Sequence, residues 1–493
     1  MYLLGMTGQN ILATIIGLVA YYLQFTILIP AIIVSTIVAA AKIWNAFNDP
    51  IMGTIVDKTR TKWGKCRPYL LFAPGPILLT TVMCFSNFGF YDSSAGFFGG
   101  RNLLIVFWAV ISYLLWEAAF TVGDVPVWGI TALMTEDDKD RAKLLSFSRI
   151  AAAAGGGMAL LTVQPTALAL GKKFAAFFPA TAKVSSEAAG ERMGFIAAAI
   201  IFGFAGCALF QLTGIFVRER IPASKEKHTL KENFGLMWTN KPFRQILLSG
   251  VLGSPRKMLS VAVIPLVTYC YANKDSKAIV FYMALLGGGM FAGQIAAVYS
   301  APKLIRYFSK KNIYNCSQLF GVGIFISLFA LYAAAPTKVT EPFYLAACVL
   351  LFIAGGASNA FTEVLQSFMI ADAVDYEEHK NGIRPDGAFF SGLTFIGKLC
   401  SGIAVIISGI AYTLSGFTGD KVEEVNAFIA NGGIFRLAPQ YHKYLMVFFF
   451  LVSVLPAIGG ILAVIPTWKY SLSDKEHSRI LAELNTRRHS DDA

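Results

Sequence analysis

Charge is what this sequence has least of: Asp, Glu, Lys and Arg make up 15% of its 493 residues, and histidine adds only five. A soluble globular chain carries about 25% charged residues, so an ordinary water-soluble domain is excluded. The seven cysteines (Cys66, Cys84, Cys207, Cys270, Cys316, Cys348 and Cys400) form no CxxC pair and fall mostly inside apolar stretches. That pattern excludes a disulfide framework and a thiolate metal site, and leaves buried thiols. The chain has no HExxH or GxSxG motif and no Cys/His cluster at metal spacing. It therefore offers neither zinc nor serine-hydrolase chemistry. No cleavable leader stands out either, because Met1 runs almost directly into an apolar stretch.

What the chain does have is hydrocarbon. It is 55% hydrophobic with a mean hydropathy of +0.58. Apolar runs long enough to cross about 30 Å of bilayer as helices recur along its whole length. They predict twelve spans, near 4–26, 29–57, 67–87, 103–133, 144–171, 194–216, 244–272, 278–301, 312–335, 341–370, 386–415 and 443–467. The expected fold class is an all-α polytopic membrane protein, with the lipid bilayer as its first partner.

A formal charge of +12 raises the question of nucleic acid, but the cations are spread as a topology signal. Loop 57–68 carries Lys58, Arg60, Lys62, Lys65 and Arg67, and loop 302–311 carries Lys303, Arg306, Lys310 and Lys311. The loop after the sixth span is also rich in Lys and Arg, while the alternate connections are poorer. No nucleic-acid partner is expected, and the positive-inside rule places both termini in the cytoplasm. The polar segment 217–243 divides two sets of six spans, 1–216 and 244–467, and 468–493 forms a polar tail. Two six-helix bundles with a substrate near the midplane between them are the arrangement expected of a transporter this size. Small-residue runs at 151–157, 285–293 and 352–360 read first as close helix packing.

An ionised group inside a span costs several kcal/mol on most scales, so each asks for a partner or a role. The candidates are Asp49, Glu117, Asp124, Arg149, Arg256, Lys257, Glu363 and Lys398. Asn45, Asn48 and Asp49 stand three and four apart, close together on one helix. One carboxylate and two amide oxygens fit Na⁺, a protonatable acid, or a structural ion pair equally well. On the fourth span, Thr121, Asp124 and Trp128 follow at i, i+3 and i+7. An acid for hydroxyls and an indole face for a sugar ring resemble a sugar site, against the competing reading of an ion pair beside a core Trp. Arg149 and Lys398 find their simplest partners in Asp124 and Asp49, and Glu117 is expected near a depth from which it can snorkel. Arg256 and Lys257 follow Pro255 and, as helix neighbours, should not face the same way. One is expected to point into a central cavity, where it would favour an anion, or to pair with Glu363.

Four stretches name a family: NDPIMGTIVDKTRTKWGKCRPYLL, TVGDVPVWGITALMTEDDKDRAKLLSFSR, TLKENFGLMWTNKPFR and MIADAVDYEEHKNGIRPDGAFFSGLTFIGK. They resemble, in order along the whole chain, the glycoside-pentoside-hexuronide:cation symporters, the melibiose permease family of the major facilitator superfamily. The resemblance implies a cation site at Asn45, Asn48, Asp49 and Thr121, with Asp49 as the coupling carboxylate. Asn45 stands where the family's pattern has an acid, so the site is one negative charge short. H⁺ is therefore the expected coupling ion, with Na⁺ the alternative, and no cofactor or other metal is implied.

The resemblance also places Asp124, Trp128, Arg149, Thr394 and Lys398 around the sugar, all with the family's residue type. A Lys-Asp pair of the first span appears here as Gln9 and Asn10, and an aromatic of the tenth span as Glu363. With Arg256 and Lys257 gained, a hexuronide such as a glucuronide is the expected substrate. A neutral glycoside or pentoside follows instead if Glu363 neutralises one cation, and an uncoupled uniporter if the missing acid abolishes cation binding. In the loop motif after the second span, Gly53 is expected to permit close packing. Asp57, Arg60, Lys65 and Arg67 are expected to cap or pair in one conformation. The whole implies a monomeric symporter of a bacterial inner membrane in which protonation of Asp49 releases Lys398 and tightens sugar binding by linkage.

Overall fold

A computed structural model describes residues 1–134, 138–179, 185–219, 235, 238–382 and 386–491. The chain is helical, in the order α1 (Tyr2–Thr26), α2 (Ala31–Lys58), α3 (Arg67–Phe72 and Pro74–Phe85, continuous through Ala73) and α4 (Asn102–Gly129). Next come α5 (Asp138–Ala175), α6 (Ser186–Phe216), α7 (Lys241–Leu252 and Ser254–Tyr271) and α8 (Ser276–Leu304). The chain ends with α9 (Lys310–Ala334), α10 (Pro342–Asn381), α11 (Asp386–Ser415), α12 (Gly419–Ala430), α13 (His442–Thr467) and α14 (Asp474–Asp491).

Among the described residues ten helices are long and apolar enough to cross a membrane. The bent pair of α7 makes an eleventh, and α3 fills the place of the third predicted span. All twelve predicted spans are therefore helices. Three run further than hydropathy indicated: α5 begins at Asp138, α6 begins at Ser186, and α10 continues to Asn381, where Gly382 (φ 69°) ends it in the left-handed conformation. Hydropathy reports only the part of a helix in contact with hydrocarbon, not where its hydrogen bonding stops. The polar tail is helical as well, with α14 running to Asp491.

Local signals start these helices in the ordinary way. Ser185 Oγ accepts from the Ala188 amide, Asn240 Oδ1 from Phe243 and Ser309 Oγ from Asn312, capping α6, α7 and α9. α7 bends by 50° at Gly253, two residues before Pro255. A side chain at Gly459 of α13 would collide with the backbone at Pro255 and Arg256, so the break is packed tightly.

The chain forms two compact units. The first holds Met1–Lys225, Val267–Met283 and Gly409–Tyr441. Phe25 of α1 gathers Tyr269, Tyr412 and Phe417 at ring separations of 5.4, 6.0 and 6.3 Å. Beside this cluster, over the Tyr269 ring, Lys274 meets Glu191 at 2.7 Å, and Thr26 donates to the other Glu191 oxygen at 2.6 Å. The second unit holds Glu226–Leu266, Ala284–Ser408 and His442–Ala493. Its core joins Phe243 and Ile246 of α7, Tyr314 of α9, Leu365, Met369 and Ile370 of α10, and Phe389 of α11.

Candidate functional site

In the first unit α2 and α4 pack along their length, and the polar residues of both meet at one level. Thr121 Oγ1 lies 3.1 Å from Asn45 Oδ1, 3.2 Å from Asp49 Oδ1 and 2.9 Å from the Glu117 carbonyl. Asn45 and Thr121 are buried, and Asn48 and Asp49 are half-buried. The structure thus brings three of the four cation-site candidates into one hydrogen-bonded group and keeps Asn48 on the same helix. Pro50 follows Asp49 within α2 and has no N–H to give the carbonyl of Ala46, which loosens the helix at the level of the carboxylate.

Glu117 is a correction. Expected at a snorkelling depth, it is fully buried. Its Oε1 meets Lys42 Nζ at 2.7 Å, and its Oε2 accepts from the Asn45 amide. A carboxylate without solvent needs a cation, and α2 supplies one from its middle. Lys42 was missed although it lies within the second predicted span. Its spacing of three before Asn45, and that of Glu117 four before Thr121, are the signals that would have found the pair.

A turn further along α4, Asp124 accepts from Gln9 of α1, and Gln9 in turn accepts from Asn10. The two departures on the first span thus form a neutral amide relay onto the acid. Trp128 is half-buried one turn beyond, next to Val127, whose carbonyl accepts from Tyr2 of α1 at 3.0 Å. Thr121, Asp124 and Trp128 therefore do share the face of one helix, α4. Arg149 on α5 is exposed.

In the second unit the adjacent cations behave differently from expectation. Lys257 Nζ meets Glu363 Oε1 at 2.9 Å, and Arg256 donates to Asn359 Oδ1 at 3.0 Å. Asn359 and Glu363 lie one turn apart on α10, so both cations reach the same helix face. Neighbours in the 3₁₀ turn Ser254–Lys257 still diverge, by about 120°, so it is the reach of the two long side chains that brings both cations to Asn359 and Glu363. Asn359 was missed because an amide in a small-residue run reads as packing. Lys398 is half-buried on α11, whereas the Thr394 and Asp57 side chains lie outside the described residues.

The loop motif is organised by a residue that the sequence did not single out. Glu219 accepts from the main-chain N–H groups of Lys65, Cys66 and Arg67 at 2.9, 2.7 and 3.1 Å. Arg67 itself donates to the carbonyls of Gly214 and Ile215, both at 2.7 Å, closing the end of α6. Arg60 donates to the Thr59 carbonyl at 2.9 Å. A Cβ on Gly53 would meet nothing among the described residues within 4 Å.

Residues 1–474 match the family described as MFS/sugar transport protein. An uncharacterized symporter of Bacillus subtilis (strain 168) is 26% identical over 462 residues, 93% of this chain and 88% of its own length. The glucuronide carrier protein homolog of Escherichia coli (strain K12) is 23% identical over 453 residues, covering 92% and 87%. Among solved structures, a bacterial homolog of the human lysosomal transporter Spinster, inward-facing and occupied, aligns with a TM-score of 0.65 at 13% identity, over 97% of this chain and 96% of that one. That likeness is one of fold.

Proposed function

The chain belongs to the MFS/sugar transport protein family, and on that premise we propose that it is a proton-coupled symporter that imports a hexuronide, a glucuronide fitting best, by alternating access. The observation that carries the substrate reading is the turn at Arg256 and Lys257, where two cations reach a face of α10 that answers with one carboxylate, Glu363, and one neutral amide, Asn359. The positive charge left over suits the carboxylate of a uronic acid. The Escherichia coli relative, a glucuronide carrier protein homolog, agrees with that chemistry.

Coupling is assigned to Asp49, a half-buried carboxylate that accepts from Thr121 beside the neutral Asn45. A single carboxylate carries a proton readily and binds Na⁺ poorly. Asp124, held by Gln9, and Trp128 supply hydrogen-bonding and stacking surface for the sugar, with Arg149, Lys398 and Thr394 completing the set. Proton and sugar each raise the other's affinity by linkage. We assign the protein to a bacterial inner membrane as a monomer with cytoplasmic termini.

Proteoliposomes with a trapped pH dye test this reading. Phenyl glucuronide should acidify the lumen without Na⁺, phenyl glucoside should not, and Asp49→Asn should bind the glucuronide without concentrating it. Accumulation against a gradient by that variant would overturn the coupling role. The Lys257–Glu363 pair favours a second reading, a neutral glycoside or pentoside, because it neutralises one cation. Proton movement with the glucoside alone would establish that reading. Counterflow without concentrative uptake of either sugar would make the protein a uniporter.

A further inference from the structure

Polar groups between α2 and α4 form a file: the Asn45 amide nitrogen donates to the Glu117 carboxylate, and the Thr121 hydroxyl lies within hydrogen-bond distance of both the Asn45 amide oxygen and the Asp49 carboxylate. Two carboxylates with amide and hydroxyl oxygens make the donor set that hard cations use. Read without Lys42, this file has the charge and the ligand chemistry for Na⁺, even though Asn45 is not an acid. One end already carries a cation. Lys42 Nζ sits 2.7 Å from Glu117 Oε1 and 5.9 Å from the centre of the Tyr113 ring, on a carboxylate that has no exposure to solvent. Among the described residues the groups facing this ammonium are Glu117 and Tyr113 of α4; Asp49 stands two turns along α2 itself.

We propose that Lys42 determines the coupling ion: its tethered ammonium takes the cation's place on Glu117, so that Asp49 alone remains for coupling and Na⁺ is refused. This rests on the symport reading above and deepens it. The chain would then have kept two acids in its cation region and silenced one from within. A permanently attached ammonium competes at very high effective concentration, because it is held within reach by the helix that carries it. A dissolved ion must also lose its hydration shell to enter.

The test is the melting temperature of purified protein in detergent, titrated with NaCl against choline chloride at constant ionic strength. In Lys42→Gln, Na⁺ should raise the melting temperature saturably, while wild type and the double variant K42Q/E117Q stay flat. A flat K42Q, or a wild type that responds as K42Q does, overturns the proposal. Because K42Q leaves Glu117 without its ammonium, its recovery from cells is a second measurement. Recovery only in Na⁺-containing medium and buffers supports the proposal. Failure with and without Na⁺, when K42Q/E117Q is recovered, overturns it. These outcomes are independent of transport: absent proton uptake in wild-type proteoliposomes would remove the symport reading, yet the Na⁺ response of K42Q would still decide what Lys42 does.

Discussion

Single carboxylates decide more in this chain than the cations that first draw the eye. The loop after α2 is dense with Lys and Arg, yet its conformation is held by Glu219, which takes three consecutive backbone N–H groups. Gly64, at φ 104°, is needed there twice over, since its backbone is left-handed and a Cβ would collide with the Glu219 carboxylate. Glu219→Ala removes the acceptor for all three donors. The expected loss is about 1–3 kcal/mol, the cost of leaving hydrogen-bonding groups unmatched. Thermal unfolding in detergent checks it, and an unchanged midpoint would show that water replaces the carboxylate. Glu117 is the same lesson inside the membrane. Hydropathy marks a buried acid as costly, but only the neighbouring helix says whether that cost is met by a cation.

At the scale of the helix, one small-residue run contains both a contact and a gap. In the 151–157 run of α5, a side chain on Gly155 would run into the backbone of Thr7 on α1, whereas one on Gly157 would meet nothing among the described residues within 4 Å. Gly155→Ala should therefore cost about 1–3 kcal/mol through forced separation of the helices. Gly157→Ala should be neutral or stabilise by about 0.5–1 kcal/mol, since alanine restricts the unfolded chain. Comparing the two melting temperatures tests the packing directly. The surface helix α12 offers a pH test. Glu424 accepts from Lys421 at 2.5 Å and from the Tyr441 hydroxyl at 3.0 Å, and these bonds, Lys421 first, hold its pKa below the ordinary 4.5. A depressed carboxylate pKa adds stability above the unfolded-state value and loses it as pH falls through the folded-state value. Wild type should thus lose more thermal stability than Glu424→Gln when the pH is lowered below about 4.5. The difference should be small, because the pair is exposed. Equal losses would mean that the bonds do not persist in solution.

For the molecule as a whole, the first unit recruits Val267–Met283 and Gly409–Tyr441 from the second half of the sequence. The recruitment rests on the Phe25 aromatic cluster and on Lys274, which bonds Glu191 at 2.7 Å and Asn426 at 3.1 Å. Removing one partner of a buried pair costs about 3–5 kcal/mol, so Lys274→Met should release this segment. Cys270, buried and free four residues away, reports it: maleimide should label Cys270 faster in Lys274→Met than in wild type, in a background lacking the exposed Cys316. Unchanged labelling would show that the aromatic cluster holds the segment by itself. Taken by itself, the sequence determined the helical class, the twelve spans, the family and the grouping of Asn45, Asn48 and Asp49 on one helix, while the resemblance alone added Thr121 to them. Hydropathy and i, i+3 and i, i+4 spacing are local properties, readable one helix at a time. What only the tertiary structure decided is which groups meet across helices: Lys42 with Glu117, Gln9 with Asp124, Glu219 with the Lys65 turn, and both Arg256 and Lys257 with one face of α10. Those pairings depend on helix rotation, on the 50° break at Gly253 and on which atoms lack water, and none of these leaves a periodic trace in the sequence.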